Sequence, residues 1–150
     1  MKNEIITLLL AMAPVSELRG AIPFGVFKTC LPFFKVFTLA IIGNFIPCIP
    51  LYFFLNKLLS FLEKFHFGKK FSHWLVHSIK KRSKVIELYE TVGLIIFVGI
   101  PLPITGVWTG TVASVLFGLK FKNYIVGVIG GILISSFIVS ILTLGIKNIF

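Results

Sequence analysis

The chain has 150 residues, 57% of them hydrophobic and only 13% charged, with a mean hydropathy of +1.01. Soluble domains carry about 25% charged residues, so an ordinary water-soluble domain is excluded and lipid must be the solvent for most of the chain. The net charge of +10, from 15 Lys and Arg against 5 Asp and Glu, would point to nucleic acid in a soluble protein. Here it is the usual basic bias of short cytoplasmic loops, and no nucleic-acid partner is expected.

The first apolar segment, Ile5 to Phe27, begins like a signal peptide, with Lys2 and a small-x-small end at Ala11-Met12-Ala13. Glu4 spoils the basic start, Pro14 would be the first mature residue, and apolar character resumes after Arg19, so cleavage is not expected. The same segment carries Glu17 and Arg19 near its middle. A charge at the centre of a membrane helix costs about 2.5 to 3.5 kcal/mol, so two within three residues need a structural reason. Two positions apart, they sit on nearly opposite faces of a helix but on one side of an extended strand. Pro14 and Pro23 bound the stretch and Gly20 lies within it. The expectation is a broken hairpin tip with both charges on unwound backbone.

The second segment, Val36 to Asn56, has 21 residues without charge, and Asn44, Pro47 and Pro50 predict a kink in it. Lys57 to Glu90 is the one polar region; it holds eight of the 15 basic residues and all three histidines, which places it in the cytoplasm. Within it Phe71, Trp74, Leu75 and Ile79 recur near helical spacing among lysines, as in a helix lying on the anionic inner leaflet. His73 and His77 are i and i+4 neighbours, but the glutamate of the zinc-protease pattern is missing, so no metal is expected.

The third segment, Thr91 to Leu119, has 29 charge-free residues. As one helix it would measure about 43 Å against a hydrocarbon core of about 30 Å. Pro101 and Pro103 remove backbone donors, and Gly106 and Gly110 follow at once, so the chain is expected to turn back here. Non-helical backbone is tolerated at membrane depth only where protein buries it or a polar cavity faces it. Thr105, Trp108 and Thr109 supply neutral polar groups at this second tip and, with Ser16, Glu17 and Arg19 of the first, make up the candidate substrate or proton site. Gly106 and Gly110 also fit a close helix contact. In the last segment, Asn123 to Ile146, Gly127, Gly131 and Ser135 form a packing ladder continued by Ser136 and Ser140. Cys30 and Cys48 are spaced unlike any metal or redox motif and read as packing residues.

An offset of 87 residues brings the two ends of the chain into gapless register: Pro14 falls on Pro101, Phe34 on Phe121, Lys35 on Lys122, Gly43 on Gly130 and Leu55 on Leu142. The expected fold is therefore all-α and integral to the membrane. It has two inverted repeats, each a re-entrant helical hairpin followed by a transmembrane helix, joined by a basic amphipathic linker. The single membrane domain, 1–150, divides into repeat 1 at 4–57, the linker at 58–90 and repeat 2 at 91–147. Basic residues divide ten to four between cytoplasm and outside both for this topology and for four full crossings, so the proline breaks, not the charges, favour the hairpins.

Two readings of Glu17 and Arg19 compete. In one they form an internal ion pair or satisfy the unpaired backbone of the facing loop, and serve only to hold the hairpins together; in the other they line a midplane site where Glu17 takes up a proton or a cationic substrate and Arg19 holds an anionic headgroup or neutralises Glu17. No nucleophile and base arrangement, phosphate loop or dinucleotide fingerprint is present, so neither an enzyme nor a cofactor is expected.

The stretch from Pro14 to Pro23, PVSELRGAIP, together with Pro101 to Gly110, PLPITGVWTG, resembles the paired signature of the bacterial small multi-drug export proteins. Ile104 stands where that pattern has a glycine. The family in turn resembles the DedA group, and that resemblance implies facing re-entrant hairpins and the movement of phosphate-bearing lipids. Those relatives place arginines in the second hairpin, and none occurs between Thr91 and Leu119. The chain is not similar to the four-helix small multidrug resistance antiporters, which lack re-entrant breaks. The resemblance implies a multi-pass exporter of the cytoplasmic membrane for a small amphipathic or cationic substrate, with Glu17 as its proton- or cation-responsive group and Arg19 as its partner. A DedA-like phosphate-lipid translocase or scramblase is the alternative, and a non-transporting membrane-organising protein the third. Membrane lipids are partners in each case, and a second copy would help so small a chain enclose a pathway.

Overall fold

The computed structural model describes residues 2–62, 84–102 and 105–149. Pro103, Ile104, His73, His77 and the amphipathic helix expected around Trp74 lie outside the described residues. The described chain is helical throughout: α1 (Lys2–Met12), α2 (Glu17–Lys28), α3 (Phe33–Phe45), α4 (Cys48–Leu62), α5 (Lys84–Gly99), α6 (Val107–Leu116) and α7 (Phe121–Ile149).

The breaks between helices have local causes. Pro47 and Pro50 lack amide hydrogens, so two carbonyls of the second segment lose their helical donors and it divides into α3 and α4. The predicted kink is thus present, and Pro50 fits where it is, in the first turn of α4. The third segment also divides as predicted, into α5 and α6 on either side of Pro101. At the end of α6, Gly118 takes φ +69°. Its amide donates to the Val115 carbonyl at 3.1 Å and the Leu119 amide to the Ser114 carbonyl at 2.9 Å. This paired closure ends a helix on a left-handed glycine and turns the chain into α7.

Two helical stretches, Phe33–Phe61 and Phe121–Lys147, are long and apolar enough to cross a membrane, and Tyr89–Gly99 and Val107–Leu116 are shorter apolar helices. α7 is apolar all round: Tyr124, Val128, Ile132 and Val139 are buried, whereas Phe137, Ile141 and Leu142 are exposed. A helix of this kind in a small protein has lipid on its outer side.

Packing crosses between the two halves of the chain. α1 packs on α3 and α5 on α7; α2 packs on α7 of the other half, and α6 packs on α4. At the centre the rings of Tyr52 and Tyr124 stack with centroids 4.5 Å apart. The Tyr52 hydroxyl donates to the Leu119 carbonyl at 2.7 Å, and the Tyr124 hydroxyl to the Cys48 carbonyl at 3.0 Å. The glycine ladder of α7 is a seam against α5: a Cβ on Gly127 would lie 2.7 Å from Leu94 Cδ2 and one on Gly131 2.5 Å from Val98 Cβ. Of the two cysteines, Cys48 is buried as expected, with its thiol donating to the Asn44 carbonyl at 3.3 Å. Cys30 is exposed, in the connector between α2 and α3, which corrects its reading as a packing residue.

Candidate functional site

The two chain breaks meet. Between α1 and α2 the chain turns over residues 13–16, where the Glu17 amide donates to the Ala13 carbonyl at 3.1 Å and the Ser16 hydroxyl donates back to the Leu10 carbonyl. Glu17 opens α2 with φ +44°, the one non-glycine residue of positive φ among the described residues. Such a conformation in a side-chain-bearing residue costs about 1 to 3 kcal/mol and marks positions that the surroundings dictate.

This corrects the expectation of unwound backbone under both charges. Glu17 and Arg19 lie in the first turn of α2, and Gly20 and Pro23 are inside that helix rather than at its break. α2 tolerates the missing Pro23 amide because its packing is tight: Ala21 and Ile22 are fully buried, and Gly25 is pressed so closely on Val36 that no Cβ would fit there. Gly20 has a local duty, since its Cβ would lie 2.6 Å from Ser16 Cβ in the turn. The left-handed Glu17 does what extended backbone was expected to do, and lets residues two apart address the same facing loop.

That facing break, described at residues 100–102 and 105–106, leaves backbone groups in need of partners. Thr105 Oγ1 accepts the Leu102 amide at 3.0 Å and donates to the Ile100 carbonyl at 2.5 Å. The Arg19 guanidinium donates to the Leu102 carbonyl from across the interface and to the Val15 carbonyl at 3.4 Å. At the start of α6 the cap residue is Gly106, which has no side chain to receive the first amides. Glu17 receives them instead, its Oε1 accepting the Trp108 amide at 3.5 Å. A carboxylate is favoured at a helix N-terminus because the unpaired amides and the helix dipole both present positive charge there. A Cβ on Gly106 would overlap the Glu17 carboxylate, so this seat requires glycine at that position. In the other direction the Trp108 indole donates to the Met12 carbonyl, the last of α1, at 3.1 Å.

Glu17 is only 7% exposed in this seat. Of the predicted site residues, the structure brings Ser16, Glu17, Arg19, Thr105 and Trp108 into one interlock of two tips. Pro14 and Pro101 lie in its breaks, whereas Thr109 turns its hydroxyl back to the Gly106 carbonyl at 3.4 Å. Gly110 sits within α6 against α5, where a Cβ would be 2.7 Å from Val98 Cγ2, so its place is that of a close helix contact. Sequence reasoning missed the backbone partners, the carbonyls of Met12 and Leu102, and it missed Tyr52 and Tyr124. The tyrosines had a signal: a phenol in an apolar segment must find a hydrogen-bond partner.

Residues 17–138 match the family described as "Putative small multi-drug export protein". Neither a curated protein nor a solved structure matches the chain. The family match starts at Glu17 itself and spans both halves of the interlock. With that match over most of its length and two helical stretches fit to cross a bilayer, the chain is a membrane protein and belongs to the small multi-drug export family.

Proposed function

We propose that the protein is a multi-pass exporter of the cytoplasmic membrane that moves a small amphipathic or cationic substrate, with the interlock of Glu17 and Arg19 as its proton-responsive gate. The observation that carries this reading is the seat of Glu17: a buried carboxylate from one half of the chain caps α6 in the other. A proton on Glu17 would remove the negative charge from that cap and weaken the tie between the tips. The bonds from Arg19 to the Leu102 carbonyl and from the Trp108 indole to the Met12 carbonyl would remain. Ties of unlike charge dependence suit a gate better than they suit a plain structural clasp.

The proposal includes the architecture: two inverted repeats, 4–57 and 91–147, each a re-entrant hairpin and a membrane helix, joined by a basic cytoplasmic linker at 58–90. It is supported by the order of short, short and long helical stretches in each half, by the coincidence of helix ends at the offset of 87 (Met12 with Gly99), and by the exchange of packing between α2 with α7 and α6 with α4. Pseudo-symmetric halves meeting at broken helices are a recurrent plan among secondary transporters.

The test is reconstitution in vesicles. Export predicts dye movement driven by a proton gradient in the wild type, loss of its gradient dependence in Glu17→Gln, and slower flux in Arg19→Ala. Flip of labelled phospholipid without dye flux would replace this reading by lipid translocation. No movement of either above empty vesicles would leave a membrane-organising role.

A further inference from the structure

A cavity of about 320 Å³ lies between α5 and α6, away from the interlock. Its α5 wall is Glu90, Gly93, Leu94 and Phe97, one helical face at i, i+3, i+4 and i+7. Ala113, Ser114 and Phe117 of α6, with Leu119, close the other side. The volume falls at the small end of the about 300 to 1,000 Å³ range of ligand pockets. Gly93 opens the space, since a Cβ there meets nothing within 4 Å, unlike Gly110 on the facing helix, whose Cβ would press on Val98. The glycine therefore serves no close approach of backbones; it leaves room.

The lining combines two phenyl rings, aliphatic side chains and a single carboxylate at one end of the stripe, that of Glu90. Phenyl faces attract cations, and a carboxylate beside an apolar slot selects positive over neutral or negative guests. We propose that this cavity binds an aromatic or lipophilic organic cation, its apolar body between Phe97 and Phe117 and its charge toward Glu90. The proposal rests on the exporter reading for its purpose, and it names the substrate class and its seat. The walls are the two helices that flank the Pro101 break, so release of the interlock would move one wall of the pocket.

The experiment measures equilibrium binding of radiolabelled tetraphenylphosphonium, without any gradient, to the full chain in nanodiscs of phosphatidylcholine. Gly93→Leu fills open space and is expected to weaken binding at least about tenfold with a melting temperature no lower than that of the wild type, and Glu90→Gln, which keeps the shape, by about tenfold. Weakening by Gly93→Leu with none by Glu90→Gln would make the slot an apolar one that an acyl chain could fill, and would overturn the cation. Full-strength binding by both variants would overturn the cavity as the seat. The two readings fail separately: binding that follows the expectation with flux at the level of empty vesicles sinks export and keeps the site, while flux in both variants with unaltered binding sinks the site and keeps export.

Discussion

Glu17 and Trp108 each reach into the opposite half of the chain: the glutamate carboxylate accepts the tryptophan amide at 3.5 Å, and the indole donates to the Met12 carbonyl at 3.1 Å. The two bonds differ in kind. One depends on the charge of a carboxylate and the other does not, so a change at Glu17 leaves the halves joined but differently held.

Trp108→Phe separates them. It keeps most of the ring and removes the indole donor, leaving the last carbonyl of α1 without that partner. A loss of about 0.5 to 1.5 kcal/mol is expected, the net worth of one neutral hydrogen bond, read as a lower midpoint in thermal or denaturant unfolding of the purified protein. A gradient dependence of dye flux that survives in this variant would place proton response on the carboxylate side of the clasp.

Gly106→Ala tests the glutamate's seat by steric means. The added methyl would overlap the Glu17 carboxylate, and the backbone at φ +157° and ψ −172° lies where side-chain-bearing residues are strained. A loss of about 2 to 4 kcal/mol is expected from overpacking and strain together. In a Glu17→Ala background the steric part disappears, so the double mutant is expected to be more stable than the sum of the single effects predicts. Strict additivity in the cycle would mean that the two residues do not meet.

The tyrosine pair allows a third measurement. The Tyr124 hydroxyl donates to the Cys48 carbonyl at 3.0 Å and lies 2.8 Å from the Thr111 hydroxyl, all three groups being buried. Tyr124→Phe takes the hydroxyl donor from the Cys48 carbonyl, which keeps its place in the helical ladder of α4, and is expected to cost about 0.5 to 1.5 kcal/mol, the net worth of one neutral hydrogen bond. Tyr52→Phe takes the hydroxyl donor from the Leu119 carbonyl in the same way. The rings stack at 4.5 Å, so a cycle of Tyr52→Leu and Tyr124→Leu, which removes both rings, is expected to show coupling of at least about 0.5 kcal/mol.

Much of this architecture was legible from residue type. Prolines at 47, 50 and 101 delete backbone donors, and the helices break or start beside them; Gly127 and Gly131 read as a seam and are one. Pro23 misled because its effect depends on what surrounds it: with Ile22 fully buried and Gly25 locked against Val36, packing outweighs one missing hydrogen bond. The left-handed Glu17 was not legible, since a glutamate does not favour positive φ and takes it here at the chain turn that faces the N-terminus of α6. The partners of the interlock escaped notice for a related reason. They are main-chain atoms of Met12, Leu102 and Trp108, and the side chains of those residues say nothing about where their carbonyls and amides point.

The seam between α5 and α7 makes a prediction of opposite signs along one helix. Gly131→Ala puts a Cβ 2.5 Å from Val98 Cβ, an atom fixed close to its own backbone, so α5 must shift; a loss of about 1 to 3 kcal/mol is expected. Gly145 lies on the same helix, and a Cβ there meets nothing within 4 Å. Gly145→Ala is expected to stabilise by about 0.5 to 1 kcal/mol, by relieving the entropy cost of a helical glycine. Thermal unfolding of both variants in one detergent checks the pair, and equal shifts would remove the seam as the cause.

The last prediction concerns acid. Glu4, in the first turn of α1, is ion-paired at 2.5 Å to Lys35 in the first turn of α3. Glu4 precedes the apolar run that begins at Ile5, Lys35 is the third residue of the span Phe33–Phe61, and the hydrogen bond and charge of Lys35 hold the Glu4 carboxyl below its ordinary value of 4.5. A carboxylate whose affinity for protons falls on folding contributes stability that is complete above the unfolded value and is lost as pH drops through the folded one. The tie between α1 and α3 is therefore expected to be full at neutral pH and to fade below about pH 4.5. Glu4→Gln should lower the unfolding midpoint slightly at pH 7 and leave it unchanged relative to wild type at pH 3. The pair is solvent-accessible, so molar salt, with a Debye length of about 3 Å, should shrink the difference at pH 7 as well. A gap between wild type and variant that stayed constant across both pH and salt would assign the effect to packing of the side chain rather than to its charge.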